Sequence, residues 1–120
     1  MNAVLDTNIL IDYLNGVDAA RDEIQRYPQP FISSITWMEV MVGVASEEEK
    51  PVRRFLATFR QIAIDSEVAE RAVAIRRNAS MRLPDAIIWA SAQCAGALLV
   101  TRNSKDFSVD EPGVRVPYHL

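Results

Sequence analysis

"MNAVLDTNILIDYL", residues 1–14, is the stretch that decides the fold. Ala3, Val4 and Leu5 read as a short buried strand, and Asp6 ends it with no basic residue nearby. Thr7 or Asn8 is the expected cap of the next helix, which carries Ile9, Leu10, Tyr13 and Leu14 on one face and stops at Gly16. A strand running directly into an amphipathic helix is the unit from which layered α/β domains are built. A carboxylate at that junction needs a reason.

The same alternation continues along the chain. A helix is expected from Asp18 to Tyr27, stopped by Pro28 and Pro30, then a strand over Phe31 to Ile35. Thr36 opens a helix through Trp37, Val40, Met41 and Val44. Pro51 suits a first helical position, followed by Val52, Phe55, Leu56 and Phe59 on one face. Ile62 to Ile64 reads as the third strand. Asp65 or Ser66 caps a helix with Val68, Ala72 and Ile75 inward, supported by Glu67 and Arg71 at i,i+4. Pro84 starts a helix closed by Gly96, and Ala97 to Thr101 and Val114 to Val116 supply two more strands. No two-residue hairpin signal interrupts this order. The pattern predicts one α/β layered domain over residues 1–120, with a mostly parallel sheet of about five short strands flanked by helices.

Composition fits that expectation and narrows the chemistry. The chain is 49% hydrophobic and 24% charged, an ordinary globular mixture. Cys94 is its single cysteine, so neither an internal disulfide nor a zinc cluster is available. No signal-peptide pattern opens the chain, and no apolar run approaches the ~20 residues that span a bilayer. The expectation is a soluble, cytoplasmic protein with no membrane partner. Net charge is −3, which does not advertise nucleic-acid binding. The cations are nearly all arginine, suited equally to bidentate phosphate contacts and to surface ion pairs.

In a parallel sheet, ligands bind beyond the carboxyl ends of the strands. Asp6 lies at such an end, Asn103 and Asp106 lie just past the fourth strand, Glu39 follows the second, and Asp85 opens a helix. Each acid has a plain structural role. Asp6 can accept N–H groups of the following helix, and Thr36 with Glu39 forms a capping box. Asp85 complements a helix dipole, and Asp106 suits a turn beside Asn103 and Ser104. Carboxylates from distant parts of the chain would nevertheless converge on one sheet edge, where mutual repulsion calls for a cation. An all-oxygen set favours Mg²⁺ or Mn²⁺, which can bind phosphate and activate water. Other chemistries lack parts. His119 is the only histidine, Cys94 sits mid-helix between alanines, and the four glycines form no phosphate loop.

"VLDTNILIDYL", "SSITWMEVMVGV", "RLPDAIIWASA" and "LLVTRNSKDF" together resemble the motif blocks of PIN-domain ribonucleases, and more narrowly the VapC toxins of toxin–antitoxin pairs. The resemblance runs from Met1 to about Val116. It implies a metal-dependent endoribonuclease that leaves a 5′-phosphate and a 3′-hydroxyl. Its metal and catalytic positions fall on Asp6, Glu39 and Asp85, with Asp106 taken for its charge and Asn103 kept as a nearby polar contact. Thr7, Asn8 and Thr101 match supporting polar positions, and Arg82 and Arg102 stand where they would hold RNA phosphates. One or two ions are implied. So are a homodimer and a VapB-type antitoxin that covers the site and reaches operator DNA through its own domain. Trp37, Met38, Met41 and Val42 exceed the needs of one buried helix face and offer either core or a partner groove.

Two other readings stay open at this point. A receiver-like signalling domain also has an Mg²⁺ pocket, and Asp65 after the third strand would be its phosphoacceptor. A catalytically inactive PIN-like module kept for binding a partner would share the fold. A dehalogenase-type phosphohydrolase needs Asp-x-Asp, where this chain has Asp6-Thr7-Asn8.

Overall fold

A computed structural model describes the whole chain, residues 1–120. Five strands, β1 (Ala3–Leu5), β2 (Phe31–Ser33), β3 (Arg60–Ile62), β4 (Leu98–Val100) and β5 (Val114–Arg115), form one sheet. Their order is β3-β2-β1-β4-β5, and each neighbouring pair is parallel. The connections carry α1 (Thr7–Leu14), α2 (Asp18–Gln25), α3 (Ser34–Val42), α4 (Glu49–Leu56), α5 (Ser66–Asn78) and α6 (Leu83–Cys94). The expected α/β layered architecture holds.

β1 lies at the centre, covered on both faces, and its three residues are fully buried. Strand alternation sends Ala3 and Leu5 into a core with Ile9, Leu10, Ile32, Val40 and Leu56. Val4 points the other way, into a second core with Val68, Ala86, Ile88 and Leu99. The chain proceeds from β1 to β2 and β3 on one side, then crosses back to place β4 on the other. The connections leaving β1 and β4 therefore diverge, which opens a crevice at their carboxyl ends. Asp6 and Thr101 are the residues immediately after those two strands.

Several local expectations shift. β2 ends at Ser33, whose hydroxyl accepts the Ile35 N–H at 3.2 Å and so caps α3. Thr36 is then inside the helix, and the capping box with Glu39 does not form. β3 occupies Arg60–Ile62, two residues before the apolar triplet, in register with Phe31–Ser33. It is an edge strand, so it needs no apolar residue on both faces, and Ile64 stays outside it, 37% exposed. α2 stops at Gln25, short of Tyr27. Arg71 turns from Glu67 to the Gln93 side chain at 3.1 Å. Asp65 caps α5 through the Val68 N–H at 2.9 Å. A receiver domain needs its phosphoacceptor after a central strand. β3 is at the edge, so the receiver-like reading fails.

Candidate active site

Asp6 remains tied to the sheet, because its N–H donates to the Val100 carbonyl at 2.8 Å. Its backbone is extended (φ −69°, ψ 155°), the conformation of an N-cap. Asp6 itself, rather than Thr7 or Asn8, therefore caps α1, its Oδ1 accepting the Thr7 N–H at 2.7 Å. That structural role uses one oxygen. Oδ2 accepts the Thr101 hydroxyl at 2.7 Å, with Asn8 Nδ2 at 3.3 Å. The side chain is buried, and burial pushes its pKa from 3.8 up to about 6 against the opposing effect of the Thr101 hydroxyl and the Thr7 N–H. The neighbouring Asp85 and Glu39 carboxylates push the same way.

Glu39 enters from the second turn of α3. Its Oε1 lies 2.7 Å from the Thr7 hydroxyl, which also lies 3.0 Å from the Thr36 hydroxyl. Thr7 has one hydroxyl proton, and the carboxylate is the stronger acceptor. The second contact is then completed by the proton of Thr36, so α1 and α3 are tied through a Thr36–Thr7–Glu39 chain. Thr36 was legible in the sequence only as a cap; its role inside the helix was missed.

Asp85 is in the first turn of α6, where the helix dipole favours a negative charge. The turn role is again real and incomplete. Oδ2 of Asp85 is buried and has no hydrogen-bond partner. Arg82 Nε stands 3.8 Å from it, an ion-pair neighbour beyond hydrogen-bond reach on a side chain 85% exposed. Burial raises the Asp85 pKa; Arg82 opposes this, and Asp106 and Glu39 add to it.

These groups face one open cleft of about 860 Å³. Asp6, Thr7, Asn8, Glu39, Asp85 and Asn103 line it, with Arg82, Arg102 and Lys105 at its margin. Ile11, Met38 and Val42 continue the wall as exposed apolar side chains. Trp37 and Met41 lie in an adjoining groove, where Arg53 sits 5.2 Å from the Trp37 ring. Asp106 is not on the cleft wall. It is exposed, accepts from Asn103 Nδ2 at 2.9 Å and donates its N–H to Asn103 Oδ1 at 3.1 Å. Asn103 thus lies on the cleft wall, with Asp106 hydrogen-bonded behind it.

Arg102 also departs from expectation. Its guanidinium makes a bidentate pair with buried Asp12 at 2.6 and 3.1 Å, and Asp12 accepts the Tyr118 hydroxyl at 2.7 Å. The charge expected to meet phosphate is already paired. No motif in the sequence marks Asp12 or Tyr118. The one available signal is Asp12 itself, a carboxylate one helical turn after Asn8 inside the apolar run of α1.

No three acidic, cysteine or histidine side chains close into a ready-made metal cage. Mg²⁺ does not need one, because it keeps several waters and binds through one or two carboxylates. Oδ2 of Asp85 has no hydrogen-bond partner, and burial with the neighbouring carboxylates disfavours the charged forms of Asp6 and Asp85, a penalty that a bound cation would offset. The donor set fits a hard divalent cation.

A family model described as PIN domain matches residues 3–110. Ribonuclease VapC10 of Mycobacterium tuberculosis (strain H37Rv) is 32% identical over 127 residues, covering 97% of this chain and 96% of that protein. A chain in a toxin–antitoxin complex from Klebsiella pneumoniae is 48% identical with a TM-score of 0.93, covering 98% of this chain and 99% of that one. A chain of DNA-bound VapBC from Salmonella typhimurium is 26% identical, with a TM-score of 0.79 and 96% of each chain covered.

Proposed function

The chain belongs to the PIN domain family, and on that footing we propose that it is a metal-dependent endoribonuclease toxin held in check by a VapB-type antitoxin. The observation that carries the catalytic part is Oδ2 of Asp85, buried without a partner in the cleft that Asp6 and Glu39 also line. A buried acceptor left unsatisfied costs about 1–3 kcal/mol, which a bound cation offsets.

Asp6 and Asp85 would hold Mg²⁺ or Mn²⁺, one ion or two, with Glu39 and Asn103 completing the site. Bound there, the metal supplies Lewis-acid activation of water and stabilises the leaving 3′-oxygen of RNA. Thr101 and the Thr7 N–H keep Asp6 oriented and bias it toward the charged form. Thr7 holds Oε1 of Glu39, which leaves Oε2 free to accept a proton from the attacking water. Arg82, exposed at the margin, would hold a phosphate. Asp106 steadies Asn103 and contributes charge.

The antitoxin reading draws on the complexes formed by similar chains and on the apolar wall of Ile11, Met38 and Val42 beside the acids. Val42 is 88% exposed and, with Ile11 and Met38, extends one apolar patch beside the acids, the kind of surface that partners cover. Residues 1–120 act as one nuclease unit, as a homodimer, in the cytoplasm, and meet operator DNA only through the antitoxin. The net charge of −3 agrees with that division. No helix is long and apolar enough to cross a membrane.

The test is cleavage of total RNA by the purified chain with Mg²⁺, Mn²⁺ or chelator, followed by sequencing of the new ends. Metal-dependent cuts bearing 5′-phosphates, absent in Asp6→Asn, are the expected result. No cuts by antitoxin-free chain would leave a partner-binding module with the same fold.

A further inference from the structure

Asn8 and Asp12 are four residues apart on α1 and so share one face, the face turned to the segment after β4. Between them they hold that segment. Asn8 Oδ1 accepts the Arg102 N–H at 3.1 Å, and Asp12 takes the Arg102 guanidinium through both oxygens. Thr101, fixed on the other side of that peptide, donates to Asp6 and accepts the Asn103 N–H at 2.9 Å. A continuous path of hydrogen bonds and backbone therefore runs from Tyr118 through Asp12 and Arg102 to Asp6 and Asn103. Tyr118 belongs to the irregular tail after β5 and packs against the core that holds Leu10.

We propose that Asp12, Arg102 and Tyr118 are positioning residues, which set the turn Thr101–Asp106 against Asp6 and so make the C-terminal tail part of the device that holds the metal-binding geometry. This rests on the metal-dependent reading above. None of the three would touch metal or RNA at the reacting atoms. Their effect passes through Thr101 and Asn103. Partners one step removed from metal ligands commonly set affinity in this way.

The molecule contains its own control. Glu23 is as buried as Asp12, receives a bidentate pair from Arg115 at 2.7 and 3.0 Å and accepts the Tyr27 hydroxyl at 2.6 Å. The chemistry is the same, but neither Glu23 nor Tyr27 lines the cleft, and the cluster meets the site only through the sheet, where the Arg115 carbonyl accepts the Thr101 N–H at 3.0 Å, rather than through a side chain of the Thr101–Asp106 turn. A purely structural role for the Asp12 cluster predicts that disrupting either cluster has the same consequence.

The experiment is a Mn²⁺ titration of the metal-free full chain, with amide exchange at Arg102 and Asn103 followed in parallel. Asp12→Asn, Arg102→Lys and Tyr118→Phe are compared with Glu23→Gln and Tyr27→Phe. Arg102→Lys keeps the charge and loses the bidentate fork; Tyr118→Phe removes a single hydroxyl and is the variant surest to fold. Expected are roughly tenfold weaker Mn²⁺ binding and faster exchange of both amides in the Asp12-cluster variants. The Glu23-cluster variants lose stability and keep wild-type affinity. Wild-type affinity in Tyr118→Phe and Arg102→Lys, or equal weakening in both clusters, overturns the inference alone. A wild-type chain that takes up no Mn²⁺ overturns the nuclease reading, and this inference with it.

Discussion

The Thr101 hydroxyl donates to Oδ2 of Asp6 at 2.7 Å across 95 residues of chain. Both side chains are buried, and the same hydroxyl oxygen accepts the Asn103 N–H. Thr101→Val keeps the shape and removes both bonds, together with the longer one from Asn8 Nδ2 at 3.4 Å. Loss of a donor to a buried carboxylate costs about 1–3 kcal/mol. Urea denaturation should register that loss, and Mn²⁺ binding should weaken about tenfold. Thr101→Ser, which keeps the hydroxyl, should recover most of the affinity.

The pH dependence of the metal-free chain follows from Asp6. Its folded pKa is raised, from 3.8 to about 6, so between those values the folded state binds more protons than the unfolded one. Stability then falls as pH rises through that window and is level above it. Asp6 alone contributes on the order of 3 kcal/mol to this fall, and Asp85 adds in the same direction. Asp6→Asn should flatten the dependence and raise the melting temperature of the metal-free chain near pH 7.5. Thermal melts in chelator across the window check both statements.

Glu39 is exposed on the cleft wall with a free oxygen, which suits proton transfer better than structure. Glu39→Gln should lower kcat for RNA cleavage by ~10²–10⁴-fold with little change in stability. Thr7→Val, which removes the hydroxyl that orients Glu39, should cost roughly tenfold by the worth of one hydrogen bond to a charged group. Single-turnover cleavage with a defined RNA separates the two effects.

The two arginines read together from the sequence should behave oppositely. Arg82→Ala should weaken RNA binding across sequences and reduce the salt slope by about 1, with stability nearly unchanged. Arg102→Ala leaves buried Asp12 without its cation and should destabilise the fold by ~2–3 kcal/mol. Binding measured at several salt concentrations beside denaturation distinguishes them.

The strand–carboxylate junction at Leu5–Asp6 was legible because an apolar triplet before a polar residue signals a buried strand end whatever surrounds it. The placement of Glu39 and Asp85 after a strand and at a helix start was legible for the same local reason. Caps were harder. Whether Asp6 or Thr7 caps α1 depends on where pairing with β4 ends, and Val100, which decides it, lies far along the chain. The edge position of β3 likewise depends on its register with β2, which an apolar triplet cannot reveal. Asp12 and Arg102 are 90 residues apart, so neither carries a local sign of the other. Asn103 and Asp106 are close in sequence, yet which of them faces the cleft is set by the turn that their mutual hydrogen bonds make.

Calorimetric titration of Mn²⁺ into the metal-free chain at pH 6 and pH 8, in buffers of different ionisation enthalpy, for wild type and Asp6→Asn, tests whether these carboxylates hold a metal. Binding through Asp6 should release protons at pH 6, where its carboxyl is about half protonated, and almost none at pH 8. Asp6→Asn should bind far more weakly, with no pH-dependent release from that group. Absence of binding in the wild type, or equal binding in Asp6→Asn, would contradict the assignment of these carboxylates as a metal site.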